Sequence, residues 1–156
     1  MINYIKLSLI IIFMSLAVLL LNIDHINPNW GILYKVKRLQ EKTYFNLKSD
    51  PAAKADYLSQ LLDKRLVELE NMVDYIKYQF LLSSSLRYST TAGELTDLIK
   101  YNNLDHKMLP LQVKFMSHKV RLQNLLDIYP KDIQGNVAYK YLIDDINYLD
   151  LYLAKL

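Results

Sequence analysis

A chain of 156 residues without a single cysteine excludes disulfides, zinc–thiolate sites and thiol catalysis. Its 19 basic and 16 acidic residues give a formal net charge of +3, a balance that excludes nucleic acid as an expected partner. Three glycines leave almost no material for phosphate-binding loops, and we attribute the 13 tyrosines to codon bias rather than to an aromatic ligand surface.

The N-terminal segment is strongly apolar from Leu7 to Leu21. As a helix this run would span about 22 Å, short of the ~30 Å hydrocarbon core. Extension from Ile2 to Ile23 closes the gap, provided that the Lys6 ammonium reaches the headgroups. Tyr4 then lies at the membrane interface. A cleaved signal peptide is the alternative, yet residues 19–27 offer no small residue for a cleavage site. We therefore predict an uncleaved transmembrane signal-anchor over residues 1–23.

The flanking charges do not decide the orientation of this anchor. Lys6 and the α-amino group precede it and Asp24 follows it, which favours a cytoplasmic N-terminus. Four basic residues within the next 20 positions favour the opposite orientation. Topology from charge alone therefore stays open.

Helix signals dominate the remaining residues, and alternating strand patterns are absent. A polar spacer, residues 24–30, leads into a first predicted helix from Gly31 to Leu47. Asp50 suits the N-cap and Pro51 the first position of the second helix. The predicted apolar rows are Ile32, Val36, Leu39 and Leu47 in the first helix, and Leu58, Leu62, Leu66, Leu69, Val73, Ile76 and Phe80 in the second.

Three further helices are predicted after this one. Serine- and threonine-rich stretches at 83–85 and 89–91 weaken the second helix, which we expect to end between them. Thr91 and Glu94 predict a capping box for a short helix to about Tyr101, and Pro110 can start the next helix. The last two apolar rows are Leu111, Phe115, His118, Leu122 and Leu125, and, after Gly135–Asn136, Ala138, Leu142, Ile146, Leu149, Leu153 and Leu156.

Helices with one apolar row each can bury those rows only against one another. The predicted fold class is therefore all-α: an N-terminal transmembrane helix followed by an antiparallel bundle or array of four to five helices. The predicted domains are the anchor (1–23), the spacer (24–30) and one helical domain (31–156).

A pattern over residues 28–69 resembles a bacterial family of small envelope proteins, a domain of unknown function that follows an N-terminal signal or anchor. The matching residues are Pro28, Leu33-Tyr34, Lys37-Arg38, Glu41, Asp50-Pro51, Lys54-Ala55, Arg65-Leu66 and Glu68-Leu69. Asn29-Trp30 and Lys64 depart from the pattern, and no resemblance is seen from about Ser83 onward. The resemblance implies an extracytoplasmic helical domain tethered at the cytoplasmic membrane with the N-terminus inside. It supplies no catalytic residue.

The first predicted helix is basic, with Lys35, Lys37, Arg38 and Lys42 offset only by Glu41. These cations could contact anionic lipid headgroups or an acidic cell-wall polymer, because the helix begins close to the predicted anchor. The alternative is a solvated face in which Lys37 and Arg38 pair with Glu41. Both interpretations stay open.

Two smaller sets of residues have structural or interfacial interpretations. Tyr4, Trp30 and Tyr34 could anchor the chain at the membrane interface, and the alternative for Trp30 and Tyr34 is packing between helices. Arg65 is predicted to pack its stem over the first helix and to pair with Glu41 or Glu68, which would lock the first two helices together.

No constellation of residues predicts catalysis, a cofactor or a metal. His25, His106 and His118 lack metal-ligand spacing, and His118 is expected to be partly buried and hydrogen-bonded. Asp144 and Asp145 are expected on a solvated face, because adjacent helical residues diverge too far to chelate together.

The sequence therefore predicts a membrane-anchored, non-enzymatic interaction, sensing or scaffolding protein. Its partners would be the bilayer, an anionic lipid or polymer, and a protein docked on the last helix. Tyr141, Tyr148 and Tyr152 widen the apolar arc of that helix. The alternative is a structural subunit of a larger membrane assembly.

Overall fold

The computed structural model describes residues 31–130 and 137–156. In those residues the chain is all-α, which confirms the predicted class, and it contains no strand. None of the described helices is long and apolar enough to cross a membrane, and the apolar run Leu7–Leu21 lies outside the described residues. The helices are α1 (Ile32–Leu47), α2 (Pro51–Asp74), α3 (Leu81–Tyr101), α4 (Met108–Ile128) and α5 (Tyr139–Leu153).

The chain divides into two compact units, Met1–Thr43 and Tyr44–Leu156. Most of α1 belongs to the first unit. The second unit contains α2 to α5, together with short 3₁₀ turns at Tyr78–Phe80 and Asp105–Lys107.

The start of α2 matches the prediction, and its end does not. The Asp50 carboxylate accepts a hydrogen bond from the Ala53 N–H at 2.9 Å, and Pro51 is the first helical residue. The helix was predicted to continue past Phe80 but ends at Asp74. Ile76 takes a left-handed conformation with φ 56°, and the Lys77 N–H bonds the Met72 carbonyl, which closes a Schellman turn.

The predicted break between the two hydroxyl-rich stretches is wrong, and so is the capping box at Thr91. Helix α3 runs without interruption through both stretches. The hydroxyls of Ser89, Thr90 and Thr91 each donate to the carbonyl four residues earlier, at 3.1, 2.6 and 2.7 Å. These groups are satisfied inside the helix and do not compete with its backbone.

The four helices of the second unit surround one core. Helix α2 packs on α3, and α5 packs on both α3 and α4. Side-chain pairs between α2 and α4 keep one sequence offset along both helices, which therefore run parallel. The predicted rows supply much of this core, including Leu58, Leu62, Leu66 and Leu69 of α2, Leu111, Phe115 and Leu122 of α4, and Leu142 and Leu149 of α5.

Candidate functional site

A buried imidazole joins three helices in the centre of the second unit. His118 lies on the inner row of α4, as its spacing from Phe115 and Leu122 dictates, and is almost completely buried. Its Nδ1 lies 3.1 Å from the Tyr88 hydroxyl of α3, and its Nε2 lies 3.0 Å from Oδ1 of Asp63 on α2. The expectation of a buried, hydrogen-bonded histidine is confirmed.

The partners of this imidazole define its tautomer. A carboxylate is an acceptor only, and Asp63 also accepts from the Lys114 ammonium at 2.6 Å. The proton of His118 therefore lies on Nε2 and is donated to Asp63, while Nδ1 accepts from the Tyr88 hydroxyl. Burial lowers the pKa of His118 although Asp63 opposes this shift, so the neutral ring is favoured.

Carboxylate, imidazole and hydroxyl stand here in the order of a hydrolase triad, but the hydroxyl cannot serve as a nucleophile. Tyr88 is fully buried, so no substrate reaches its oxygen. Burial, with the charge of Asp145 as a smaller cause, raises the pKa of Tyr88 and keeps the phenol protonated. The array therefore orients and joins helices rather than activating an oxygen.

Asp145 contradicts the prediction of a solvated face. Its side chain is fully buried because it follows Leu142 by three residues and precedes Leu149 by four, which places it on the inner row of α5. Neither carboxyl oxygen has a hydrogen-bond partner among the described residues. The nearby Ser85 hydroxyl donates instead to the Tyr141 carbonyl at 3.3 Å. Burial raises the pKa of Asp145 to about 8, so the carboxyl holds a proton at neutral pH.

Three ion pairs at seven-residue intervals connect α2 with α4 and with the 3₁₀ turn that directly precedes it. Asp56 pairs with Lys107 and Asp63 with Lys114, each at 2.6 Å. Glu70 accepts from the Nε and Nη2 atoms of Arg121 at 2.7 and 2.5 Å. Because every pair has the same offset of 51 residues, the two parallel helices stay in one register along their length.

The described residues contain no cluster of metal-ligand side chains. Within 31–130 and 137–156, no three histidine or acidic side chains converge on a point where an ion could be held. His106 is exposed in the 3₁₀ turn before α4, and His25 lies outside the described residues.

Helix α1 divides its polar residues between two faces. Lys35, Arg38 and Lys42 are exposed along one side of the helix. Lys37, which was predicted to join them, is only 2% exposed and does not lie on this exposed side. The reason is spacing: Lys37 lies three residues after Tyr34 and shares its buried side, with its ammonium 5.7 Å from the centroid of that ring.

The apolar residues of α1 also differ from the prediction. Ile32 and Leu39 were expected to be buried, yet they are 77% and 67% exposed. They lie seven residues apart, on the side next to the three exposed cations. We call these five residues, Ile32, Lys35, Arg38, Leu39 and Lys42, the α1 outer face.

The other predicted residues lie in varied settings. Tyr34 and Glu41 are buried in α1, while Tyr4 and Trp30 lie outside the described residues. Arg65 and Glu68 are both buried, and one Arg65 nitrogen bonds both Glu68 oxygens at 3.1 Å. This pair lies within α2, and the lock to α1 through Glu41 stays a prediction.

The tyrosines of α5 are engaged to different degrees. Tyr148 is 43% exposed and stacks on Tyr152, with ring centroids 6.3 Å apart. The Tyr152 hydroxyl donates to the Ser89 carbonyl at 3.3 Å, which ties α5 to α3. Tyr141 is half-buried. Of the three, Tyr148 presents the most surface to a partner.

The sequence of this chain matches a known protein family. The family described as Domain of unknown function (DUF5667) matches residues 30–131, well over half of the chain. The chain belongs to this family. No curated protein and no solved structure gives a significant match.

The DUF5667 match extends well beyond the resemblance seen in residues 28–69. It reaches through α1, α2, α3 and α4, so it includes Asp63, Tyr88 and His118. Helix α5 and Asp145 lie after the matched range. The DUF5667 region of this chain therefore contains the buried array, and α5 completes the core around it.

Proposed function

We propose that this DUF5667 protein is a single-pass protein of the cytoplasmic membrane that presents its helical domain outside the cytoplasm. It acts there without catalysis, as an interaction and scaffolding module, and α1 lies against the anionic lipid surface. The observation that carries the proposal is the α1 outer face, where three cations stand beside two exposed apolar side chains.

The composition of this face favours lipid over an acidic polymer. Headgroups attract Lys35, Arg38 and Lys42, while Ile32 and Leu39 can enter the boundary between headgroups and acyl chains. A polar polymer would use the cations and leave the apolar side chains in water. A further support is the sequence position, because Ile32 follows Leu21 by eleven residues, a reach of at most about 39 Å.

The buried array supports a role without catalysis. Its hydroxyl is closed to substrate, and its carboxylate and imidazole are both engaged between helices. The groups with perturbed pKa values thus have structural partners or lie in the core, away from the surface that would meet a ligand.

Sedimentation with vesicles tests the lipid contact. A fragment of residues 24–156, checked for helix content by circular dichroism, should pellet with phosphatidylglycerol vesicles and stay in solution with phosphatidylcholine vesicles. Replacement of Lys35, Arg38 and Lys42 by Gln should weaken binding by about 3 kcal/mol, or roughly a hundredfold. The matched control replaces Lys64, Lys100 and Lys140, three exposed lysines on other helices, and should bind as the parent does.

Two results would contradict the proposal. One is a parent fragment that remains in the supernatant with anionic vesicles at low salt. The other is an equal loss of binding in both triple variants, which would indicate net charge rather than the α1 outer face. Topology is tested separately: a C-terminal phosphatase fusion should be active, and a C-terminal fluorescent fusion that matures only in the cytoplasm should be dark.

A further inference from the structure

Helix α4 is apolar on two opposite sides. Its inner row, which includes Phe115 and Leu122, fills the core. A second row on the outside is formed by Leu109, Val113, Met116 and Val120, which we call the α4 outer row. These four side chains are 68%, 63%, 59% and 61% exposed. These side chains do not contribute to the core of their own chain.

The spacing of the α4 outer row is that of a helix-pairing seam. Its members follow one another in steps of four, three and four residues, which is the a/d pattern by which helices pack along a shared line. A contiguous apolar strip of this kind on a solvent-exposed face marks an interaction surface. Scattered exposed apolar residues, by contrast, would need no explanation.

Three basic residues of α4 near the outer row are already paired within the chain. Lys114 and Arg121 form ion pairs with Asp63 and Glu70 of α2, and Lys119 pairs with Asp150 of α5. Of the residues that flank the row, Gln112 and Ser117 are uncharged, and Lys119 is the lysine already paired with Asp150. The row therefore lacks the cations that an anionic lipid surface requires, in contrast to the α1 outer face.

The same row is suited to pair with itself. Steps of four, three and four are the same in both directions, so a two-fold axis between Val113 and Met116 sets each residue opposite another member of the row. In that arrangement Leu109 meets Val120 of the second copy, and Val113 meets Met116 of the second copy. Gln112 then lies level with Ser117 of the second copy, and no like charges oppose one another.

We propose that two copies of this chain associate through the α4 outer row, with their α4 helices antiparallel about a two-fold axis. A seam of one helix per copy buries less than the ~1,600 Å² of a standard interface, so association is weak, with dissociation in the micromolar range or above. This inference does not depend on the membrane contact of α1, because the two surfaces share no residue.

Cysteine cross-linking of the full chain tests the proposal, and the cysteine-free sequence gives a clean background. The variants L109C and V120C are expressed together in one cell and treated with a short, membrane-permeable bismaleimide. A covalent dimer should form from the mixture. L109C alone should give little dimer, because the two copies of that residue are eleven positions apart along antiparallel helices, or about 16 Å.

Two controls make the result specific. Y101C, at a position that is 79% exposed but off the row, should give no dimer when expressed alone. Adding M116E to both cysteine variants should reduce the cross-linked fraction at least tenfold, because it brings charge into the seam, and circular dichroism should show unchanged helix content.

The outcomes separate the alternatives. A mixture that cross-links no more than Y101C overturns the proposal. Dimer from L109C alone, at the level of the mixture, indicates parallel helices and overturns the antiparallel pairing. Cross-linking of the row to a different protein, with no dimer of this chain, also overturns it and shows that the seam belongs to another partner. Loss of vesicle binding in the α1 triple variant would leave these results unchanged.

Discussion

The Tyr88 hydroxyl donates to Nδ1 of His118 across 3.1 Å and so joins α3 to α4 through the centre of the core. The same imidazole donates to Asp63 of α2. One ring therefore connects three helices, and each of its nitrogens has a single, distinct partner.

Replacing Tyr88 by Phe should destabilise the fold by about 1–3 kcal/mol, because it leaves a buried imidazole nitrogen without a donor. Urea unfolding followed by circular dichroism measures this cost. The matched control is Tyr101→Phe, since that ring is highly exposed and its hydroxyl is solvated. A Y88F variant as stable as Y101F would show that the contact contributes nothing.

Asp145 should make stability fall as pH rises. The folded chain holds the carboxyl proton up to a pKa of about 8, whereas the unfolded chain loses it near 3.8. Between these values the folded state binds more protons, so the contribution of Asp145 declines by about 1.4 kcal/mol per pH unit. Below the lower value the contribution is complete, and above the higher value the loss is complete.

The Asp145→Asn variant isolates this effect, because its amide does not ionise. The difference in unfolding free energy between parent and variant, measured from pH 5 to pH 8, should shift steadily in favour of the variant. Asp74→Asn, at an exposed aspartate of another helix, is the control for removal of one carboxylate. A constant difference between parent and D145N over this range would contradict the burial of a protonated carboxyl.

The apolar rows of α2, α4 and α5 could be predicted because a large side chain every three or four residues reports directly on which side of a helix is buried. His118 was placed correctly for the same reason. The spacing of Asp145 from Leu142 and Leu149 indicates burial. Its charge favours an exposed position, and the prediction followed the charge. Tyr88, the hydrogen-bond partner of His118, lies next to the buried residues Ser84, Ser85 and Ser89, and small polar residues do not reveal a buried side.

The end of α2 could not be predicted from the same pattern. Ile76 continues the apolar row, and a β-branched residue is a poor choice for a left-handed turn. The structure nevertheless places it there with φ 56° and leaves it 68% exposed. The equivalent turn after α3 uses Asn103, with φ 54°, a residue type that tolerates this conformation. Tertiary packing of α3 on α2 evidently outweighs the local preference of Ile76.

Replacing Ile76 by Gly should therefore stabilise the fold by about 1 kcal/mol, because glycine removes the left-handed penalty and little buried surface is lost. Thermal and urea unfolding measure the gain. Leu86→Gly serves as the contrast: Leu86 is also exposed but lies inside α3, where glycine should cost about 1 kcal/mol. Destabilisation in both variants would show that Ile76 makes contacts that offset its conformation.

The ion pairs between α2 and α4 should differ in strength. Arg121 and Glu70 form two parallel hydrogen bonds and are partly shielded, whereas Asp56 is well exposed where it meets Lys107. Glu70→Gln should cost about 0.5–1 kcal/mol, and Asp56→Asn should cost less than about 0.3 kcal/mol. Urea unfolding at low salt gives both values. In 1 M NaCl the two costs should converge, and equal costs at low salt would contradict the ranking.

Gly93 lies inside α3 where Tyr152 of α5 crosses it. A Cβ at this position would stand 2.8 Å from the Tyr152 hydroxyl oxygen and 3.1 Å from the ring carbon that bears it. Alanine is worth up to about 1 kcal/mol over glycine within a helix, but here the ring must move and its bond to the Ser89 carbonyl is lost. We expect Gly93→Ala to be neutral or destabilising, by urea unfolding.

Replacing Tyr152 as well tests whether its close approach causes the effect of Gly93→Ala. In a Tyr152→Leu background the space opposite Gly93 is open, so the same Gly93→Ala change should stabilise by about 0.5–1 kcal/mol. The double-mutant cycle thus predicts that replacing Tyr152 makes the effect of Gly93→Ala on stability more favourable by at least about 0.5 kcal/mol. If Gly93→Ala had the same effect in both backgrounds, the close approach of Tyr152 would not be the reason for glycine at this position. A substitution ten residues before Gly93 in the same helix, Ser83→Ala, should show no such dependence on residue 152.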